Sequence, residues 1–330
     1  MAPSDSKVSF LPCLERRRSK WGGLLLTNAV TPQATQRIVK MPGHKFAETI
    51  RSGKPQIGAW MQIPHVMVAE TLAQTNLDFL LVDGEHAPIP PDALLDILPA
   101  TERYGMPVLY RVAWNRIELI KAALDHGANG IMVPMVNSGA EAIEAVSSAK
   151  YPPAGKRGSG AWRASNYYQN DAEYRKNANS SLAVVLQIET REALNNLDDI
   201  ASTPGVDALF IGPADLALSL GIEPGKLTHE LLDACQAVAN AAKKYGIASG
   251  SDVASIDYMI RLQELGLSLF TYGSDPDFIL QGGRAVARDF HNALGGTIAE
   301  IDVNSVIASP KDAIAVDGLI IPSKSEGARQ

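Results

Sequence analysis

Three observations predict a (β/α)₈ barrel. Short apolar runs alternate with stretches of helical spacing, the alternation repeats eight times over about 240 residues, and no G-x-G-x-x-G follows the first run. Alternating strands and helices make parallel βαβ units, and eight similar units favour closure over a doubly wound open sheet. The runs expected to be strands are Ile57–Met61, Phe79–Asp83, Val108–Val112, Ile131–Met135, Val184–Glu189, Ala208–Gly212, Ile247–Gly250 and Leu267–Gly273. Most are apolar throughout, the pattern of strands buried on both faces, and Gly, Pro or an acidic residue ends them. Helical spacing between them covers Met67–Gln74, Pro91–Tyr104, Ile117–His126, Gly139–Ala149, Glu192–Ile200, Thr228–Tyr245 and Ser255–Leu265.

The ends read differently. Residues 1–42 combine ERRRSK, a WGGLLL patch and Thr/Pro/Gln-rich sequence without a sustained period, and are expected to be a flexible extension preceding a barrel over 43–296. Residues 297–330 form a second extension with apolar IDVNSVIA and DGLIIP segments that could pack on the surface or on a partner subunit. The 330-residue chain is 46% hydrophobic with a formal charge of −6, ample for a core and no footprint of nucleic-acid binding. Cys13 and Cys235 are the only cysteines, so no disulfide framework is implied. No apolar run reaches the roughly 18 residues that span a membrane. The expected location is cytoplasmic. A mitochondrial-type leader is the alternative, though Asp5 and Glu15 interrupt its basic character.

Active sites of such barrels lie at the C-terminal ends of the strands. Those ends carry Trp60, Asp83-Gly-Glu85-His86, Arg111, Pro134, Gln187, Glu189 and Gly212-Pro-Ala214-Asp215; strands seven and eight end less distinctively, in Gly250-Ser-Asp252 and Tyr272-Gly-Ser274. A carboxylate ending a buried strand is expensive to desolvate, so Glu189 calls for a cation. Asp215 lies 26 residues later, one βα repeat, and should stand on the neighbouring strand end. Two carboxylates, with waters and substrate oxygens completing the shell, suit Mg²⁺, Mn²⁺ or Co²⁺, although Asp215 could instead cap a helix. Zinc is disfavoured by the lack of a Cys/His cluster.

Arg111 could fork onto a carboxylate or enolate oxygen, or pair with Asp83 or Asp125. His86 stands where an imidazole can move a proton near neutral pH, with Asp83 expected to fix its tautomer. No lysine ends a strand, which disfavours Schiff-base chemistry and leaves carbonyl activation to a metal. No nucleotide-binding or P-loop spacing is present, so no organic cofactor is expected. The long connection Tyr151–Tyr168 is expected to be a lid over the mouth or a subunit contact, with Arg157, Arg163 and Tyr167 as candidates.

Taken together, DGEHAP, YRVAWN, VPMV, YPPAGKRGSG, LQIETREALNNL and FIGPADLALSLG resemble the HpcH/HpaI family over about residues 44–294. These are metal-dependent 4-hydroxy-2-oxoheptanedioate aldolases, with 2-dehydro-3-deoxyglucarate aldolases and macrophomate synthase as relatives. The resemblance implies a class II, pyruvate-dependent aldolase on a phosphoenolpyruvate/pyruvate-type barrel. It implies Glu189 and Asp215 as metal ligands, and Gln187 beside pyruvate. The backbone N–H groups of Ala214 and Asp215 would face the pyruvate carboxylate, and Arg111 the enolate oxygen. His86, with Asp83 and Asp125 behind it, would be the proton relay, and Trp60 matches a tryptophan of the aldolases. Pro134 ends the VPMV strand. Hexamers of dimers that exchange the last helix are also implied. The chain departs from the family after RGSG, where AWRASNYYQ is shorter and bulkier, and this bears on the aldehyde partner. An oxaloacetate decarboxylase or macrophomate-synthase-like enzyme would use the same metal half; a non-catalytic barrel should have lost Glu189, Asp215 or Arg111, and all three are present.

Overall fold

The computed structural model describes residues 46–293 and the two short strands Ile307–Ala308 and Ala313–Ile314. The expectations for residues 1–42, and for most of 297–330, lie outside the described residues. The two short strands pair antiparallel, Ala308 opposite Ala313.

Eight parallel strands close into a barrel in chain order. They are β1 Gln56–Met61, β2 Phe79–Asp83, β3 Val108–Arg111, β4 Gly130–Val133, β5 Ala183–Ile188, β6 Ala208–Ile211, β7 Ala248–Val253 and β8 Leu269–Ser274, and the ring closes where Gln56 pairs with Leu269. Strand side chains alternate between faces, which explains the unbroken apolar runs. Phe79, Leu81, Leu109, Met132, Val185 and Phe210 fill the barrel interior. Their neighbours Leu80, Val82, Tyr110, Ile131, Val184 and Leu209 pack outward beneath the helices. Two residues further along the inward register come Asp83 after Leu81, Arg111 after Leu109, and Gln187 after Val185. The period that builds the core therefore also lifts a polar layer to its top.

The N-terminal end of the barrel is plugged by α1 (Phe46–Arg51). Its Phe46, Ala47 and Ile50 join the interior cluster, and the Phe46 and Phe79 rings lie 5.6 Å apart. The outer ring comprises α2 Val66–Leu72, α3 Leu94–Glu102, α4 Ile117–His126, α5 Gly139–Ala149, α6 Asp171–Ser181, α7 Arg191–Asn195, α8 Leu197–Ala201, α9 Pro213–Leu220, α10 His229–Tyr245 and α11 Ile256–Glu264. The single helix expected over Glu192–Ile200 is broken at Asn196, whose side-chain amide donates to the Asn137 carbonyl at 2.7 Å. A 3₁₀ turn, Pro91–Ala93, begins the segment expected as helix from Pro91. The last helix, α12 (Asp275–Ala293), is exposed beyond its first turn, with Ile279, Leu280, Val286 and Phe290 facing solvent. No helix among the described residues is long and apolar enough to cross a membrane.

The Tyr151–Tyr168 connection is not a lid. It joins the C-terminal end of α5 to α6, which runs directly into the start of β5, so it lies at the end of the barrel opposite the mouth. Arg163 there grips Glu102 at the end of α3 (2.9 and 3.1 Å) and the His126 carbonyl at the end of α4 (3.0 Å). Arg157, a candidate for that lid or subunit contact, is completely buried; its guanidinium pairs with Asp125 at 2.7 Å and bonds the Tyr174 hydroxyl. Tyr167 is exposed and packs edge-on against Trp162 at 5.0 Å. Removing one partner of a buried ion pair strands the other charge. Asp125→Ala is therefore expected to cost about 3 kcal/mol of stability, read as a lowered urea midpoint with an unchanged slope.

Candidate active site

Glu189 follows β5 directly and is 3% exposed. Its Oε1 accepts the Met135 N–H at 2.6 Å, and its Oε2 accepts from the Gln187 amide at 3.1 Å. Met135 reaches that position in the left-handed region, φ 55°, just past the buried Pro134 at the end of β4. Across the β5–β6 pairing, Gly212 follows Ile211, and a Cβ there would stand 2.5 Å from Glu189 Oε2. Only glycine leaves room for the carboxylate. Gly212 also begins α9 without a side-chain cap, so the alternative of Asp215 as an N-cap is overturned. Asp215 stands exposed in the first turn. The N–H groups of Ala214 and Asp215 precede the helix's first bond, Leu216 N–H to the Gly212 carbonyl, and so point out of its positive end.

Burial pushes Glu189 up to about 7, against the Met135 N–H, and the negative charges of Glu85 and Asp215 push it the same way. Glu85 is likewise raised by burial, with Asp83 and Asp215 adding to the effect and Arg111 and His86 opposing it. Carboxylates gathered like this favour a positive ion among them. Gln187 Oε1 is buried and has no hydrogen-bond partner, a further oxygen available to a ligand. No group of three or more His, Cys, Asp or Glu among the described residues makes a metal cage by itself. A hard divalent cation held by two carboxylates, with waters and substrate oxygens around it, needs no such cage. The residues present fit it.

Two strands round the ring, at the end of β3, stands Arg111, nearly buried. Its Nε and one terminal nitrogen contact Asp83 Oδ1 at 3.1 and 2.9 Å, and the other terminal nitrogen lies 3.1 Å from Glu85 Oε2. The sequence alternative of an ion pair with Asp83 is thus realised, and that with Asp125 is not. Burial pushes Asp83 up, but Arg111 and the backbone N–H groups of His86 and Glu85 outweigh it and hold the carboxyl below its ordinary range. Trp60 lies against the guanidinium, its ring centroid 4.2 Å from the Arg111 carbon.

The expected histidine relay takes a different form within this chain. His86 is 60% exposed, and the carboxylate nearest its Nε2 is Glu85, at 3.7 Å. Asp83 Oδ1 turns instead to the backbone N–H groups of Glu85 and His86, at 3.1 Å each. It shapes the turn and leaves the imidazole tautomer alone. Asp125 does not join the mouth: it sits at the C-terminal end of α4, the opposite end of the barrel, where it neutralises Arg157. Sequence reasoning placed Glu85 and Asp252 at strand ends but assigned neither a role. The first was visible inside DGEH, because Gly84 N–H bonds the Arg111 carbonyl at 2.9 Å and carries Glu85 over the arginine. Lys150, the buried lysine whose amine burial lowers to about 8, bonds the Asn179 and Leu182 carbonyls just before the start of β5, away from the C-terminal strand ends.

Residues 56–275 match the family model described as HpcH/HpaI aldolase/citrate lyase. The chain belongs to this family. A 4-hydroxy-2-oxo-heptane-1,7-dioate aldolase of Shigella flexneri is 36% identical over 264 residues, 80% of this chain and 99% of the relative. Among solved structures, an HpcH/HpaI aldolase/citrate lyase family protein of Burkholderia cenocepacia J2315 is 31% identical with TM-score 0.71, covering 75% of this chain and 99% of that one. Macrophomate synthase is 25% identical with TM-score 0.67 over 77% of this chain and 91% of its own. This HpcH/HpaI-family chain is a carbon–carbon lyase of the aldolase type on a (β/α)₈ barrel.

Proposed function

We propose that the chain cleaves a 4-hydroxy-2-oxo acid, reversibly, to pyruvate and an aldehyde. The observation that carries this reading is Glu189: a buried carboxylate near Asp215 at the N-terminal end of α9 and within reach of the Arg111 charge. A divalent cation (Mg²⁺, Mn²⁺ or Co²⁺) between Glu189 and Asp215 would supply Lewis-acid polarisation of the 2-oxo group. Ala214 and Asp215 N–H groups bind the substrate carboxylate at the positive end of α9, and the Gln187 amide, anchored on Glu189, lines the same side. His86 takes the proton of the 4-hydroxyl, with Glu85 as its nearby carboxylate, and the C3–C4 bond breaks. Arg111 then holds the enolate oxygen, where charge develops, and this stabilisation is the largest contribution of the protein's own groups. His86 returns the proton to carbon, directly or through one water.

Supplying Mg²⁺, Mn²⁺ or Co²⁺ separately and assaying pyruvate release from 4-hydroxy-2-oxo acids that yield semialdehydes or sugar-acid aldehydes tests the reading. Oxaloacetate decarboxylation is run beside it, because macrophomate synthase shares the fold. The expected result is a kcat/KM for retro-aldol cleavage above that for decarboxylation; the reverse ratio overturns the aldolase reading. The exposed apolar side of α12 supports a homo-oligomer in which that helix docks on a second copy. Phe290→Asp with Ile279→Asp is expected to lower the sedimentation coefficient to that of a monomer.

A further inference from the structure

The chemistry above leaves one half-buried acid of the inner layer unused. Asp252 stands on β7, two residues past Gly250 on the inward register, and its Oδ1 accepts two hydrogen bonds. One comes from Trp60 Nε1–H on β1 at 2.8 Å, the other from Thr271 Oγ–H on β8 at 2.6 Å. The bond to Thr271 joins paired strands. The bond to Trp60 passes over β8 and joins two strands that do not pair. It reaches because the β1–β8 register shifts between Gly58 and Trp60, so that Trp60 lies opposite Ser274. The indole secured this way is the one under Arg111, 4.2 Å from the guanidinium carbon.

Asp83 and Glu85 hold the edges of the guanidinium, and the Trp60 ring occupies one of its faces. An indole has a single N–H, and that hydrogen bond fixes where its ring lies. We propose that Asp252 is a positioning residue for Arg111: by tethering the Trp60 indole, it fixes the plane in which the guanidinium meets the developing enolate. The inference rests on the aldolase reading for its catalytic consequence, while the tether itself is a matter of geometry. Burial pushes the Asp252 carboxyl up, and the Thr271 and Trp60 donors and the Arg111 charge push it back, so the group responds to the same arginine it helps to place.

The test compares Asp252→Ala, Asp252→Asn, Trp60→Phe, Thr271→Val and the Trp60→Phe/Asp252→Ala double variant in the full chain with saturating divalent cation. Misplacing a catalytic group costs turnover before binding. Asp252→Ala is expected to lose roughly tenfold in kcat with KM and cation affinity little changed. Asp252→Asn, which keeps an acceptor oxygen, should recover most of that loss. Trp60→Phe should match Asp252→Ala, and the double variant should be no worse than either, because both sever one connection. Thr271→Val should stay near wild type. Additive losses, an unaffected Asp252→Ala, or equal damage from Thr271→Val would overturn the proposal. Nuclear magnetic resonance separates its failure from that of the aldolase reading. The Trp60 Nε1–H and Arg111 Nε–H resonances are expected to move in Asp252→Ala whatever the enzyme turns over. A stationary Arg111 resonance rejects the tether's role; an inactive wild type with a moving one rejects only the assigned reaction.

Discussion

Glu189→Ala is expected to remove divalent-cation binding and retro-aldol turnover together, the latter by about a thousandfold, since Lewis-acid polarisation supplies several kcal/mol of transition-state stabilisation. Glu189→Gln provides the isosteric check: it preserves the volume beside Gly212 and removes the charge. Calorimetric titration with Mn²⁺ and a pyruvate-release assay on the same preparations read both quantities. Turnover at the wild-type level in cation-stripped Glu189→Ala would refute the assignment. A pH dependence follows from the same group. Folding raises the Glu189 carboxyl from an ordinary value of 4.5 to about 7, so between those values the native, cation-free chain binds more protons than the unfolded one. Its stability therefore falls as pH rises through that window. A cation must displace that proton, and its apparent affinity is expected to drop by about tenfold for each pH unit below about 7. The gain in Tm on adding Mn²⁺ should accordingly be larger at pH 8 than at pH 5.5.

The same residue shows what was legible in the sequence. Strands β3, β5 and β6 are buried on both faces, so their positions and parallel pairing were readable from unbroken, mostly apolar runs, and with them the ends bearing Arg111, Glu189 and Asp215. Which groups touch was less readable, because it depends on where short side chains turn. Asp83 was expected to serve the His86 imidazole, yet its carboxylate is closer to the backbone N–H groups of its own turn and to Arg111. Asp125 and Arg157 misled for a topological reason. Both belong to the helix-to-strand end of their units, where charge serves stability, and the order of elements already placed them there. Asp252 was hidden because its partner Trp60 lies two strands away in the ring, and no local spacing reports such a contact.

Arg111 carries the second large expectation. Arg111→Ala should retain cation binding through Glu189 and Asp215 while kcat falls by about 10²–10³-fold, the loss found when a preorganised donor to a developing oxyanion is removed. The alanine variant also strands Asp83 and Glu85, two carboxylates that now share one guanidinium, and leaving a buried charge uncompensated costs about 3–5 kcal/mol. A fall in stability alone could then mimic a fall in turnover. Arg111→Lys separates the two effects. An ammonium keeps the positive charge among the acids but has neither the planar fork that meets both carboxylates nor the flat face that lies on Trp60. Its urea midpoint should therefore lie closer to wild type than that of Arg111→Ala, while its kcat stays depressed and its Mn²⁺ affinity is unchanged. If Arg111→Lys instead restored turnover in step with stability, charge at the mouth would suffice, and the orientation of the guanidinium would have no part in catalysis.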